Sequence, residues 1–460
     1  MVRTAKARHC CLASAHRMVA VLALVLPVVV GTALPALAQT PPPPYQTALG
    51  VTTVNGAVLG AALFSTCASG ANGLGSPSNQ AFQSDCNLIV SNSSAGQTSQ
   101  ALASLAADQI NAQNSGASRA AGLGVAMIQG RLERLRLAST GSSRQSGDRL
   151  AAHGHTVQWT GGGASGDLAF GRFGGFLQFD YGTGEEDATP FQPGYDLDRW
   201  AVLGGLDYRF SDNLIGGLAV RYHDMDVDYD ADRGDMTGNG WAITAFGTYF
   251  LPNGFFVDGL AGYGQHDYNL DRLVRYTVSG QEASQIAKSE PRGHLWNLHL
   301  GAGYTLSQGS WSITPTLRLN YLQNEIDRVR ERMVGSTVTG RSMALAIDSE
   351  TYTSFTSNLG VQIANAISHR TGVIVPQLRM SWIHEFENDQ KRVGATFIND
   401  INQQPLFVVT NEPDRNYFDL AVAVSAQFAQ GRSAFVAYNT LLGYDDVTFH
   451  AISAGVRLEF

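Results

Sequence analysis

No run of eighteen apolar residues occurs anywhere in these 460 residues, which excludes a chain that crosses a membrane on helices. Basic residues are in deficit, with 31 Lys and Arg against 39 Asp and Glu and a net charge of −8. Nothing offers the clustered cations that neutralise phosphates, so nucleic-acid binding is excluded. No phosphate-binding glycine loop is present. The cluster Gly161, Gly162 and Gly163 sits in Ser/Gly-rich sequence and reads as flexible linker. His153 and His155 have no third ligand nearby, so they form no metal site. No cofactor or metal is expected, and no Ser-centred nucleophile motif marks an enzyme. Cysteine is rare, with four in all.

What is present begins with an export signal. Arg3, Lys6, Arg8 and Arg17 precede an apolar run from Met18 to Val30, and Ala36-Leu37-Ala38 follows. This pattern predicts a signal peptide over residues 1–38, cleaved between Ala38 and Gln39. Removing it takes Cys10, Cys11 and the four basic residues away, leaving 27 basic against 39 acidic residues, a balance near −12. Cys67 and Cys86 remain, and export favours their oxidation. They are expected to pair, closing a loop of about 20 residues that contributes roughly 3 kcal/mol. The surrounding segment, 39–96, opens on the proline-rich QTPPPPY and continues in Gly, Ser, Ala and Asn. It reads either as a small exposed module or as a disulfide-clipped spacer.

Residues 97–138 turn helical, with Leu102, Leu105, Ile110, Leu123, Met127, Ile128, Leu132 and Leu135 at three- and four-residue steps. Arg119, Arg131, Arg134 and Arg136 give the second part of this helix a basic face unsuited to lipid. Residues 139–166 form a Ser/Gly/Arg-rich linker. From Asp167 the chain alternates apolar and polar residues, predicting strands near 168–182, 197–210, 214–229, 238–251, 255–268, 293–307, 310–326, 350–367, 372–388, 415–429, 432–444 and 446–460. Fifty glycines and a mean hydropathy of −0.07 suit such strands, since inward polar positions dilute outward apolar ones. Short turns alternate with long polar links. The fold class is therefore an all-β transmembrane barrel, a 12-stranded antiparallel outer-membrane β-barrel over residues 167–460.

The closing octapeptide SAGVRLEF resembles the C-terminal signal of bacterial outer-membrane barrels through Ser453, Gly455, Leu458 and Phe460. With Asp207-Tyr208-Arg209-Phe210, Tyr222 to Tyr229, Pro315 to Tyr321, Pro376 to Glu387 and Pro413-Asp414-Arg415, the region from Asp167 to Phe460 resembles the β-domain of autotransporters, the type V secretion translocators. That resemblance implies a pore helix over residues 118–138, whose basic face would meet a polar lumen, and a displayed passenger in residues 39–96. It implies a monomer anchored in outer-membrane lipid and lipopolysaccharide, built by the barrel-assembly machinery and periplasmic chaperones, with its own N-terminal passenger in the pore. The Asn-Asn pair of self-cleaving members is absent, since Asn111 and Asn114 are separated, so no cleavage is expected. Two other functions stay open at this point. One is a porin-like channel with a periplasmic extension. The other, an outer-membrane hydrolase, would use His223-Asp224, His266-Asp267 or His384-Glu385, but neighbours on a strand face opposite ways.

Overall fold

The computed structural model describes residues 53–91, 94–110, 125–133, 135 and 172–460. Predicted features at Ala38, Gln39, Arg119, Arg134 and Arg136 lie outside these residues. Twelve strands form the wall: β1 (Phe173–Glu186), β2 (Tyr195–Ser211), β3 (Leu214–Tyr229), β4 (Gly234–Phe250), β5 (Phe255–Val278), β6 (Arg292–Tyr304), β7 (Trp311–Ile326), β8 (Glu350–Asn365), β9 (Gly372–Glu385), β10 (Asn416–Phe428), β11 (Arg432–Leu442) and β12 (Val447–Glu459). Each pairs antiparallel with the next, and β1 pairs with β12 from Gly174↔Glu459 to Glu186↔Val447, which closes the ring. Closure pairs the backbone of every wall strand on both sides, as hydrocarbon requires.

The wall is inside out relative to a soluble protein. Leu177, Phe179, Leu218, Leu298, Leu300, Val424 and Val456 are exposed on the outer face, while Gln178, Asp180, Arg199, Asp207, Arg221 and Arg318 are buried inside. The strict two-residue period of the pleat makes this separation possible. Trp200, Tyr222, Trp241 and Trp296 crowd the outer face towards the long-loop end, where amphipathic rings suit a membrane interface.

The two ends differ. One carries tight turns such as 212–213, 251–254 and 429–431. The other carries longer links, and three of these are themselves β-structure rather than simply polar. Strand β5 runs ten residues past its expected end to Val278 and folds back along Gln281–Ser289. Its alternation never stops: Leu270, Arg272, Val274, Tyr276 and Val278 are all buried. Residues Val329–Arg330, Leu345–Ile347, Arg392–Phe397 and Leu406–Val409 add a separate four-stranded sheet.

Three helices pack onto this scaffold: α1 (Val54–Ser69), α2 (Pro77–Ser91) and α3 (Ala95–Leu105). The helical region thus starts well before residue 97, and α3 crosses the expected boundary at 96. Thr53 caps α1 by accepting from the Gly56 N–H, and Gly70 ends it at φ 63°, a left-handed conformation that glycine adopts without steric cost. Ser94 and Gln97 form a capping box for α3. Leu59, Leu63 and Cys67 of α1, with Phe82, Cys86 and Ile89 of α2, share one core with Val274, Tyr276, Val278, Leu345 and Phe397 of the rim. The Phe82 and Phe397 rings pack with their centroids 5.0 Å apart, tilted by 47°. Cys67 and Cys86 are bonded, their Cα atoms 5.7 Å apart, tying α1 to α2.

Replacing both cysteines by serine should destabilise this helical cap by about 3 kcal/mol while leaving the barrel folded. Hydrogen exchange should lose protection across residues 53–110, while the heat-dependent gel mobility of the barrel stays unchanged.

Candidate functional site

The lumen and its long-loop mouth carry the polar chemistry of the molecule. Residues 125–133 are helical and lie inside the barrel. Val125, Met127, Ile128, Leu132 and Leu135 pack against Phe176, Leu203, Ile215, Phe246 and Leu260 of the wall. Two residues apart on a helix is about 200° of rotation, so Arg131 and Glu133 point to opposite walls. Arg131 donates to Asp207 Oδ2 of β2 and lies 4.9 Å over the Phe176 ring. Glu133 accepts from Arg318 of β7, and from Arg379 of β9 at 3.3 Å to each oxygen. Arg379 also donates to Asp419 at 3.1 Å. Gln129 donates at 3.0 Å to Asn320 and lies 3.0 Å from His299 Nδ1. Among the described residues, two buried charges of opposite sign, Arg131 and Glu133, clamp the helix across the lumen. Beside it, Ala421, Ala423 and Ala437 leave a small void of about 60 Å³ that Ala126 and Gly130 also line.

The mouth is covered by the cap. Arg272 of β5, with no exposed surface, forms a two-point bridge to Glu331 at 3.0 and 2.8 Å. Its third nitrogen donates to the Leu105 and Ser104 carbonyls at 3.0 and 3.3 Å, satisfying the end of α3. Arg233 donates to the Ala103 carbonyl at 2.9 Å and pairs with Asp108 at 3.4 Å. At the other end of the cap, Asn55 donates to the Val409 carbonyl at 3.0 Å and accepts from the Val409 N–H at 2.6 Å, pairing the edge of the small sheet. Asp400 accepts from Asn72 at 3.0 Å, and Asp85 accepts from Ser342 at 2.6 Å.

The C-terminal residues divide between the two faces. Ser453 and Gly455 face the lumen, where Ser453 donates to Asp180 at 2.6 Å; Leu458 and Phe460 are exposed outside. His223 and His266 also face the lumen, their ring nitrogens 3.0 Å apart, while Asp267 is exposed on the outer face and pairs with Arg292. His384 lies 2.8 Å from Asn416, whereas Glu385 is buried and bonds to Ser354. None of the three His–carboxylate neighbours forms a local pair. Sequence reasoning singled out Arg131 but not its partners. Their signal was a charge at an inward position of a strand, at Asp207, Arg318, Arg379 and Arg457.

A twelve-strand closed barrel threaded by a polar-clamped helix invites one comparison, and the autotransporter β-domain model matches residues 175–439, more than half the chain. This chain belongs to the autotransporter β-domain family. The translocator domain of the autotransporter NalP from Neisseria meningitidis shares the fold with a TM-score of 0.51 at 15% identity, covering 74% of this chain and 98% of that domain. Outer membrane protein B of Rickettsia rickettsii is 23% identical over 276 residues, 58% of this chain but 16% of the relative. The adhesin BmaC autotransporter of Brucella suis is 27% identical over 145 residues, 30% of this chain and 4% of the relative. The chain therefore spans only a small part of the length of these relatives. As an autotransporter translocator, it is an outer-membrane β-barrel with a helix in its pore.

Glu133→Ala would leave Arg318 and Arg379 buried without their shared carboxylate, a change expected to cost about 3 kcal/mol. The variant should show a lower temperature for loss of the compact gel form and a larger conductance in planar bilayers. The cap should also respond to pH. Burial pushes the Asp108 carboxyl up to about 6, against the pull of Arg233 beside it, and burial raises Asp85 in the same direction. A raised carboxyl pKa contributes stability that is complete below its unfolded value near 4 and is lost as pH rises through about 6. Hydrogen exchange in residues 53–110 should be slower at pH 5 than at pH 7.5, and Asp108→Asn should flatten most of that difference.

Proposed function

We propose that this autotransporter anchors and displays its own N-terminal helical cap at the cell surface, uncleaved, as a fixed part of the barrel mouth. One observation carries this reading: residues 53–110 are built into the long-loop end, with Arg272 and Arg233 holding the last turn of α3. In outer-membrane barrels long loops face outward and short turns face the periplasm. A segment in transit or awaiting release has no use for a fully buried bidentate arginine at its base. The lumen helix then serves as the tether left by export, and its clamps keep the pore filled. Contact with other surfaces, the role named for the Brucella relative, is the use we assign to the display.

The turn between Leu74 and Pro77 offers a test, because Leu74 is 92% exposed there. An epitope inserted at Gly75 should bind antibody on intact cells. External protease should remove it while the barrel and its lumen helix stay protected. Antibody binding only after the outer membrane is permeabilised would put the cap in the periplasm and sink the proposal.

A further inference from the structure

The ring closes where β1 meets β12, and polar rungs cross that seam on the lumen side. Asp180 of β1 takes Ser453 of β12 and, at 3.2 Å, Arg199 of β2. The second rung skips a strand. Asp207 of β2 accepts from Arg457 of β12 at 2.8 Å, and the bridge passes directly over β1 at Gly174. A Cβ at Gly174 would lie 2.4 Å from the Arg457 guanidinium and 2.8 Å from Asp207 Oδ1. Only glycine leaves the passage open. The other side of the Arg457 guanidinium donates to Glu459. The second carboxylate oxygen of Asp207 is the one that holds Arg131 of the lumen helix. The four side chains are between 3 and 10% exposed.

We propose that Asp207 is a positioning residue that couples closure of the barrel to seating of the helix. Its two oxygens serve two elements that reach it independently: the last strand through Arg457 and the N-terminal helix through Arg131. With both in place, each oxygen of the buried Asp207 carboxylate has its own cation, and Arg209 lies at the edge of the cluster near Glu459. With either Arg131 or Arg457 missing, one oxygen of a carboxylate held away from water loses its charged partner, which is costly. Each event therefore stabilises the other, and the coupling is reciprocal. The Asp180 rung joins β1, β2 and β12, and among the described residues it has no hydrogen bond to the helix, so it ties the seam without this coupling. The inference does not depend on which side of the membrane the cap occupies.

Two reporters in the full chain test it. Leu177 and Val456 face each other across the seam on the outer surface, so Leu177→Cys with Val456→Cys reports closure by disulfide yield. Ala126→Cys, on the helix beside the void, reports seating through its labelling by a water-soluble maleimide. Arg457→Gln leaves the helix untouched, yet should speed labelling at position 126 about tenfold; Arg131→Gln leaves β12 untouched, yet should slow the seam cross-link by a similar factor. Combining the two should add little. If each substitution moves only its own element's reporter, or if the two effects multiply, the coupling is refuted. Should Arg457→Gln fail to fold, as seen by loss of the compact gel form, Glu459→Gln is read the same way, since it loosens the Arg457 guanidinium without removing it.

Discussion

A backbone amide facing hydrocarbon without a partner costs several kcal/mol, and this one constraint governs the molecule. It forces the strands into a ring, because any open edge would leave a row of such groups in lipid. The ring in turn dictates the side chains: every second residue faces the membrane and must be apolar, so the rest gather in the lumen. A lumen filled with Asp, Arg, Gln and Asn is thus the geometric remainder of a pleated wall whose other face belongs to lipid. Those inward groups then need partners of their own. The helix supplies several, through Gln129, Arg131 and Glu133.

Buried ion pairs of this kind contribute little net stability against an apolar packing of equal volume, but they are unforgiving about geometry. That property suits a plug. Apolar contacts from Ile128, Leu132 and Leu135 to one side of the wall would tolerate sliding or rotation. Arg131 and Glu133, aimed at opposite walls, fix both depth and azimuth. The asymmetry shows in the small void beside the alanines of β10 and β11, where space remains next to the described turns of the helix. At the mouth the same logic recurs on a smaller scale, with Arg272 joining a wall strand, a loop carboxylate and the carbonyl end of α3.

The wall was legible because its pattern is local. In β10, Phe418, Leu420, Val422 and Val424 alternate with Asp419, Ala421, Ala423 and Ser425, and such alternation has one meaning. The helix was legible from its period, and its place in the lumen only through the family resemblance. The cap was not, for a physical reason. Residues 54–91 are rich in Ala, Gly, Ser and Asn, and their few large apolar side chains could not cover one another. The missing half of their core comes from Val274, Tyr276, Leu345 and Phe397, some 200 to 340 residues later in the chain. The four-residue steps Leu59, Leu63, Cys67 and the Ser94-to-Gln97 box were present as signals, but weak beside that composition. The lumen partners failed differently. Which inward charge meets which, as with Asp207 and Arg457 lying 250 positions apart, is set by register around a closed ring, and no local window contains it.

The path of the chain through the ring has a topological consequence. The cap lies at one end of the barrel, β1 begins at the other, and residues 125–133 lie between them inside a hoop made by the same polypeptide. The described residues are arranged like a lasso, with the β-barrel as noose and, as knot, a helical bundle cross-linked by Cys67 and Cys86 and fastened by Arg272. Such an object is held by interlocking as well as by energy. The thread can leave only if the bundle unravels or the noose opens, and each of those events disrupts many contacts at once. Retention of residues 125–133 in the pore is in this sense geometric as well as energetic.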